Sequence, residues 1–316
     1  MTQDTLHAAL AAYAASSGEP APYVLLADRD DGTVVRCGES VAKAHAGDTD
    51  RDGLAARMRI AGDRLLAGVL LPPLRTGVAH IGGRPVSLWP YGAPVDPARP
   101  EDAPWEPAAR LLAALHQVPL RRLPGPVPPM RGPAKLARAL HRLGRAALSG
   151  TGLGADAEAV RGAARTLPAW ARGETPPPAG GVLCHGDLHL GQLVRFPAPE
   201  GAWRLIDVDD LGVGTPAWDL ARPAAWYAAG LIDSATWLRF LDAYRDAGGA
   251  GAGPPGSDPW PELDLAARAL TVQTAALALT KAAREGRRLE DVERLMVDAC
   301  VRIATLPPHL EPAPAS

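Results

Sequence analysis

Lysine is almost missing from this chain. Of its 316 residues, 33 are lysine or arginine, and only Lys43, Lys135 and Lys281 are lysine. One ammonium in the first 134 residues is either chance or a place that needs an ammonium and not a guanidinium. Cysteine is scarce as well. Three cysteines without paired spacing exclude a disulfide framework and fit a reducing cytoplasm. Net charge is small, −2, which excludes a nucleic-acid carrier held by bulk charge. No run reaches eighteen apolar residues, so no membrane span is expected. The N-terminus "MTQDTLHAALAAYAASSGEP" lacks a positive leader and carries Asp4, His7 and Glu19. It reads as an amphipathic helix and not as a signal peptide.

What is present is enough apolar residue, 47%, to bury a sizeable core in one large domain or two ordinary ones. After the first helix, "YVLLA" (23–27), "TVVRCG" (33–38) and "SVAKAHA" (40–46) predict a hairpin and a third strand, with "DRDDG" as a turn. Asp48, Thr49 and Asp50 offer caps to a helix running to about Leu66. Two more strands are expected near 67–71 and 85–92. Proline then thickens over 93–107 and marks a boundary. Beyond it the pattern is helical, over about 106–118, 134–148, 155–172, 216–247, 261–285 and 289–305. "GVLCHGD" and "WRLIDVDD" interrupt the helices as two short strands of one hairpin. A β-rich lobe over 1–92 and a helical lobe over 93–316 imply a cleft between them, where ligands bind.

The chemistry concentrates in "VLCHGDLHLGQLVRF" and "RLIDVDDLGVGTPAWDLA". Strands joined by a short loop bring Asp187, Gln192 and Asp207 to one end of a hairpin. An acid, an amide oxygen and a second acid suit phosphoryl transfer. One carboxylate orients an acceptor hydroxyl, and oxygen ligands hold Mg²⁺ against phosphates. Imidazole and thiolate would suit zinc better. His185, Asp187 and His189 alternate, so they also share one face of a strand and admit a metallohydrolase reading.

The two segments resemble the aminoglycoside phosphotransferase family, with its H-G-D-x-x-x-x-N loop and I-D-x-x-x-x-x-x-x-P-x-x-D-L segment. The resemblance is specific over 183–221, and "LLAALHQVP" before the loop is also similar. It implies a protein-kinase-like α+β fold, with a small β-rich N-lobe and a larger helical C-lobe. The implied activity is transfer of the γ-phosphate of ATP, or of GTP, to a hydroxyl of an antibiotic, amino sugar or related metabolite. By resemblance Asp187 is the base, Gln192 and Asp207 are Mg²⁺ ligands, and Lys43 meets the nucleotide phosphates. "LWPYG", with Trp89 and Tyr91, is the hinge beside the adenine. His185 and His189 buttress the loop, and Asp219 ties it to the segment after Asp207. Asp209 and Asp210 are a solvated face, a further metal contact or an attraction for a cationic acceptor, which Asp233 would reinforce. Cys184, Trp218, Trp226 and Tyr227 read as packing. Implied partners are a nucleoside triphosphate and a small hydroxylated acceptor, without nucleic acid or membrane, for a cytoplasmic monomer or dimer.

The chain departs from that pattern in three places. Gln192 stands where the family has Asn, one carbon longer, which predicts a weaker metal contact with activity retained. The helix after Lys43, "DTDRDGLAARMRIAG", has no Glu to pair with the lysine, leaving Asp50 or Asp52 as partner, or none. The turn "ADRDDGTV" has one Gly and three acids, whose side chains are expected to face water. The competing readings are a kinase-like protein that binds nucleotide or metabolite without transfer, and the metallohydrolase.

Overall fold

The computed structural model describes residues 2–15, 22–29, 32–148 and 153–306. Helix α1 (Gln3–Ala15) precedes strands β1 (Val24–Arg29), β2 (Gly32–Cys37) and β3 (Ser40–His45). Then come α2 (Arg51–Ala61), β4 (Arg75–Ile81) and β5 (Arg84–Pro90). The five strands form an antiparallel sheet of order β1-β2-β3-β5-β4. Alternation in β2 and β3 sends Val35, Ala42 and Ala44 to one face, where they meet Leu6, Leu10, Ala11 and Ala14 of α1. That small core makes the N-terminal helix part of the sheet's packing, as its amphipathic pattern predicts.

The expected fourth strand at 67–71 is not a strand. Arg64–Leu66 is a short 3₁₀ turn capped by Asp63, and the apolar run after it dives into the core. Leu70 is fully buried and bridges to Leu205. An apolar run too short to show a period is equally a buried plug, and the fourth strand lies further on. Helix α2 stops at Ala61, short of the expected end, with Gly62 after it. Asp50 is its cap, accepting from the backbone N–H of Asp52 and Gly53.

Strand β6 (Ala93–Pro94) leads to α3 (Trp105–His116), α4 (Gly132–Leu148) and α5 (Gly154–Arg165). Four short strands follow: β7 (Val182–Cys184), β8 (Leu193–Phe196), β9 (Ala202–Leu205) and β10 (Gly212–Gly214). The two candidate segments therefore do not make a single hairpin. β7 pairs with β10, while β8 and β9 form the hairpin, with β6 on its edge. The helical stretch expected over 216–247 divides into α6 (Ala217–Ala228) and α7 (Ser234–Asp246), because Gly230 takes a positive φ of 77° between them. Helix α8 (Trp260–Glu285) runs through the centre of the lobe and packs on α4, α5, α6 and α9 (Asp291–Ile303). The larger core spans these helices and reaches α2 through Leu54 and Met58. Among the described residues no helix is long and apolar enough to cross a membrane.

Candidate active site

Three segments build the site from below. β7 carries the chain out of the core to His185, Gly186 and Asp187. Gly186 has φ +85°, and a Cβ there would lie 2.5 Å from the Asp210 carbonyl oxygen, so the turn requires glycine. Asp219, on the first turn of α6, clamps that turn. Its carboxylate accepts from the N–H of His185 and of Gly186, both at 2.6 Å. His116 Nε2 donates to the same carboxylate at 3.0 Å, and His116 Nδ1 accepts from the Tyr244 hydroxyl at 2.8 Å. Asp219 is 1% exposed, so these charge-assisted bonds lie in a dry interior.

His116, Cys184 and Asp219 are the one group of described His, Cys, Asp and Glu residues whose ligand atoms lie within 4.8 Å of one another. They are buried and already bonded, and burial raises the Cys184 thiol well above its ordinary pKa, against a thiolate ligand. His185, Asp187 and His189 do not gather in this way. His185 instead donates Nε2–H to the carbonyl of Ile206 at 2.8 Å. Burial, with Arg222 beside it, lowers His189 to about 4 and keeps it neutral. The metallohydrolase arrangement is therefore not formed.

Gln192 is fixed at the backbone. Its N–H donates to the His189 carbonyl at 2.8 Å, and its carbonyl accepts from Ile206 N–H at 2.9 Å. The β8–β9 register, Leu193 opposite Leu205, thus closes with Gln192 on one strand and Ile206-Asp207 on the other. Asp207 has φ 64° and ψ 78°, the one non-glycine residue with positive φ among those described. Left-handed backbone at a non-glycine residue is strain that clusters at functional sites.

The acids are held on cations in two sets. Lys43 Nζ, from β3, lies 2.6 Å from Asp207 Oδ1 and 3.0 Å from Asp209 Oδ2. Burial alone would lower the Lys43 pKa, but Asp207 and Asp209 outweigh it and raise it. Lys43 therefore pairs with neither Asp50, which caps α2, nor Asp52. Its partners come from the C-terminal lobe, Asp207 from 164 residues away. His45 also faces Asp209, Nδ1 to carboxylate at 3.1 Å, and His45 Nε2 lies 2.8 Å from Ser87 Oγ, which accepts from Trp89 Nε1 at 2.8 Å.

In the second set, Lys135 Nζ, from α4, is 2.8 Å from Asp187 Oδ2 and 2.8 Å from Asp210 Oδ2. Arg222, from α6, donates to Asp187 Oδ1 at 2.7 Å and to the Leu188 carbonyl at 2.9 Å. Burial would raise the Asp187 pKa, but Lys135 and Arg222 drive it well below the usual carboxylate range. Burial raises Asp210, against the pull of Lys135.

Trp89 is 8% exposed, with its N–H spent on Ser87. Tyr91 lies under the Arg36 guanidinium, 3.3 Å from its ring centroid, and its N–H donates to the Glu39 carbonyl. Asp28 of the acidic turn is exposed, as expected, and also bonds Thr33 and faces Gln3 and His7 of α1. Asp30 and Asp31 lie outside the described residues. Asp209 and Asp210 form no solvated face, since both are ion-paired. Asp233 caps α7 by accepting from Thr236 N–H at 2.7 Å. Trp226 packs edge-on against Trp105 and lines a narrow apolar cleft with Leu188, Leu190 and Arg222, directly beside the 185–192 loop. Sequence reasoning missed His45, Ser87, Lys135 and Arg222. Only Lys135 had a signal, its rarity.

The family model of the phosphotransferase enzyme family matches residues 34–265. The chain belongs to that family. Its members transfer phosphoryl groups to hydroxyl acceptors, and the fold is protein-kinase-like. No curated protein matches the chain. Among solved structures it is similar to a choline/ethanolamine kinase family protein from Mesorhizobium loti, at 18% identity over 96% of this chain and 94% of that one, TM-score 0.56. A thermostable mutant of aminoglycoside phosphotransferase APH(4)-Ia matches at 14% identity over 90% and 95%, TM-score 0.59. Spectinomycin phosphotransferase APH(9)-Ia, solved with ADP and spectinomycin, matches at 13% over 90% and 92%, TM-score 0.56.

Proposed function

We propose that this protein transfers the γ-phosphate of ATP, or of GTP, to a hydroxyl group of a small organic acceptor, with Asp187 as the base. The observation that supports this most directly is the pairing of site carboxylates with two lysines, one from the N-terminal sheet and one from α4. One lysine holds Asp207 and Asp209, and a second holds Asp187 and Asp210. Four carboxylates held on ammonium groups at a lobe junction form a site prepared for a more highly charged guest. Like solved relatives bind adenine nucleotides: a ternary complex of APH(4)-Ia holds AMP-PNP and hygromycin B.

The donor set suits Mg²⁺, because Asp207 and Gln192 offer only oxygen and the Gln192 side chain has no hydrogen-bond partner among the described residues. Asp207 and Gln192 would hold the ion, which would neutralise charge on the phosphates. Lys43 then passes from Asp207 to the nucleotide phosphates. Asp187 orients the acceptor hydroxyl and takes its proton as the new O–P bond forms and the bond to the nucleoside diphosphate breaks. Each Asp187 oxygen keeps a free lone pair beyond the cation it faces.

The acceptor is an antibiotic, an amino sugar or a related metabolite. Asp209, Asp210 and Asp233 give no support to a polycation, since all three are used internally.

The deciding experiment couples ADP formation to a panel of aminoglycosides, macrolides, peptide antibiotics and amino sugars. Turnover with at least one acceptor is expected, lowered about 10²–10⁴-fold by Asp187→Asn with nucleotide binding retained. Asp207→Ala is expected to abolish the Mg²⁺ dependence of nucleotide binding. Nucleotide binding without turnover across the panel would favour the binding-only alternative.

A further inference from the structure

Lys135 is the one lysine in the C-terminal lobe that touches the site, and nothing in the family motif calls for it. It sits in the first turn of α4, whose start is fixed in place. Arg131 N–H donates to the Asp210 carbonyl at 3.3 Å, and Met130 N–H to the Val213 carbonyl at 2.9 Å. Gly132 presses on Trp218 so closely that a Cβ would lie 2.1 Å from the indole nitrogen. The stem of Lys135 therefore starts from a rigid point of α4, docked on the segment that follows Asp207. Its ammonium lies 2.8 Å from one oxygen of Asp187 and 2.8 Å from Asp210. Arg222, pinned by the Leu188 carbonyl, holds the other Asp187 oxygen. The Asp187 carboxylate is thus gripped from both sides, by one cation from α4 and one from α6.

We propose that Lys135 is a positioning residue for phosphoryl transfer: it fixes the Asp187 carboxylate and locks the 185–192 loop to the 207–214 segment. This rests on the reading of Asp187 as the base. A carboxylate held at each oxygen cannot rotate about its terminal torsion, which is otherwise broad. A reacting group misplaced by an ångström costs about 10²-fold in rate. An ammonium suits this place because it meets two carboxylates as a point charge, where a guanidinium presents a planar fork. The chain uses arginine thirty times and lysine three, and two of the three lysines each bridge two site carboxylates.

The test is a double-mutant cycle with Lys135→Met and Asp187→Asn, measured with ATP and the best acceptor of the panel, or with water where no acceptor exceeds it. K135M is expected to lower kcat about 10–100-fold while KM for ATP holds within about twofold. On the D187N background the same change is expected to cost nothing further, because Lys135 acts through Asp187. K135R, which keeps the charge, is expected to restore part of kcat. Wild-type kcat in K135M, or an equal loss from K135M in both backgrounds, overturns the proposal. Unimpaired D187N instead overturns the reading of Asp187 itself. Should K135M fail to fold because Asp210 is left buried with only Arg131, at 3.7 Å, K135M/D210N removes that charge and takes its place in the cycle.

Discussion

Gln192 keeps the amide oxygen of the family's Asn at the cost of one more carbon. The chain contains no asparagine at all, so glutamine is its only way to supply a neutral amide oxygen from a side chain. Its backbone is pinned on both sides. Both its N–H and its carbonyl are tied into the loop and the β8–β9 hairpin. The extra carbon must then be taken up by the side chain, whose added torsion loosens the position of the oxygen. Mg²⁺ demands near-ideal geometry. Gln192→Asn is therefore expected to lower the Mg²⁺ concentration for half-maximal activity by about threefold, with kcat retained. A Mg²⁺ titration checks this, and an unchanged midpoint with much lower turnover would count against Gln192 as a ligand.

At the scale of elements, the 185–192 loop is held by charge, and that gives it a pH signature. His189 is driven down to about 4 by burial and then by Arg222, from an ordinary value of 6.5. Between those values the unfolded chain binds a proton that the folded loop refuses. Stability therefore rises with pH across that window and is lost as pH falls from about 6.5 toward 4. Asp187 adds to the loss only at the bottom of that window, where the unfolded carboxyl, with its ordinary value of 3.8, begins to take up a proton that the folded one refuses. Urea unfolding at pH 7 and pH 5 is expected to show the wild type losing about 1–2 kcal/mol more than His189→Gln. Equal losses would mean that the loop tolerates an imidazolium.

This loop and its neighbour were the legible part of the sequence. Two histidines, an acid and a glycine in five positions have few uses, and a tight turn leaves a local pattern. The helices were legible too, because apolar spacing at three and four repeats over several turns. Pairing was not. β7 joins β10 across the whole 185–211 segment, and a three-residue strand carries no period to announce its partner. The run at 67–71 shows the same limit, since apolar content says "buried" and not "strand". The partners of Lys43 were also hidden. The acids nearest to it in sequence on the following helix are Asp50 and Asp52, whereas the ion pair forms across 164 residues.

At the scale of the whole molecule, the helix that lacks the family's Glu still connects the lobes, through a different residue. Arg57 on α2 is 5% exposed. It donates Nε–H to the Leu211 carbonyl at 2.8 Å and an Nη2–H to the Pro129 carbonyl at 3.1 Å. Both acceptors belong to the C-terminal lobe, at the ends of the segments that carry Asp210 and Lys135. The helix is thus tied to the backbone behind the acids and not to Lys43, which leaves Lys43 free to face Asp207 and Asp209. Burial, and then Arg131, lowers the pKa of Arg57, so the guanidinium is held by its two carbonyls and by Asp210 and Asp209 against a real desolvation cost. Arg57→Ala strands two carbonyls at the lobe junction and is expected to destabilise the protein by about 2–4 kcal/mol. Arg57→Lys is expected to recover little, since one ammonium on a flexible stem does not reproduce a planar fork that meets two divergent carbonyls. Urea midpoints of the two variants check this. An R57K midpoint equal to that of the wild type would show that charge alone joins the lobes, and that the fork geometry is dispensable.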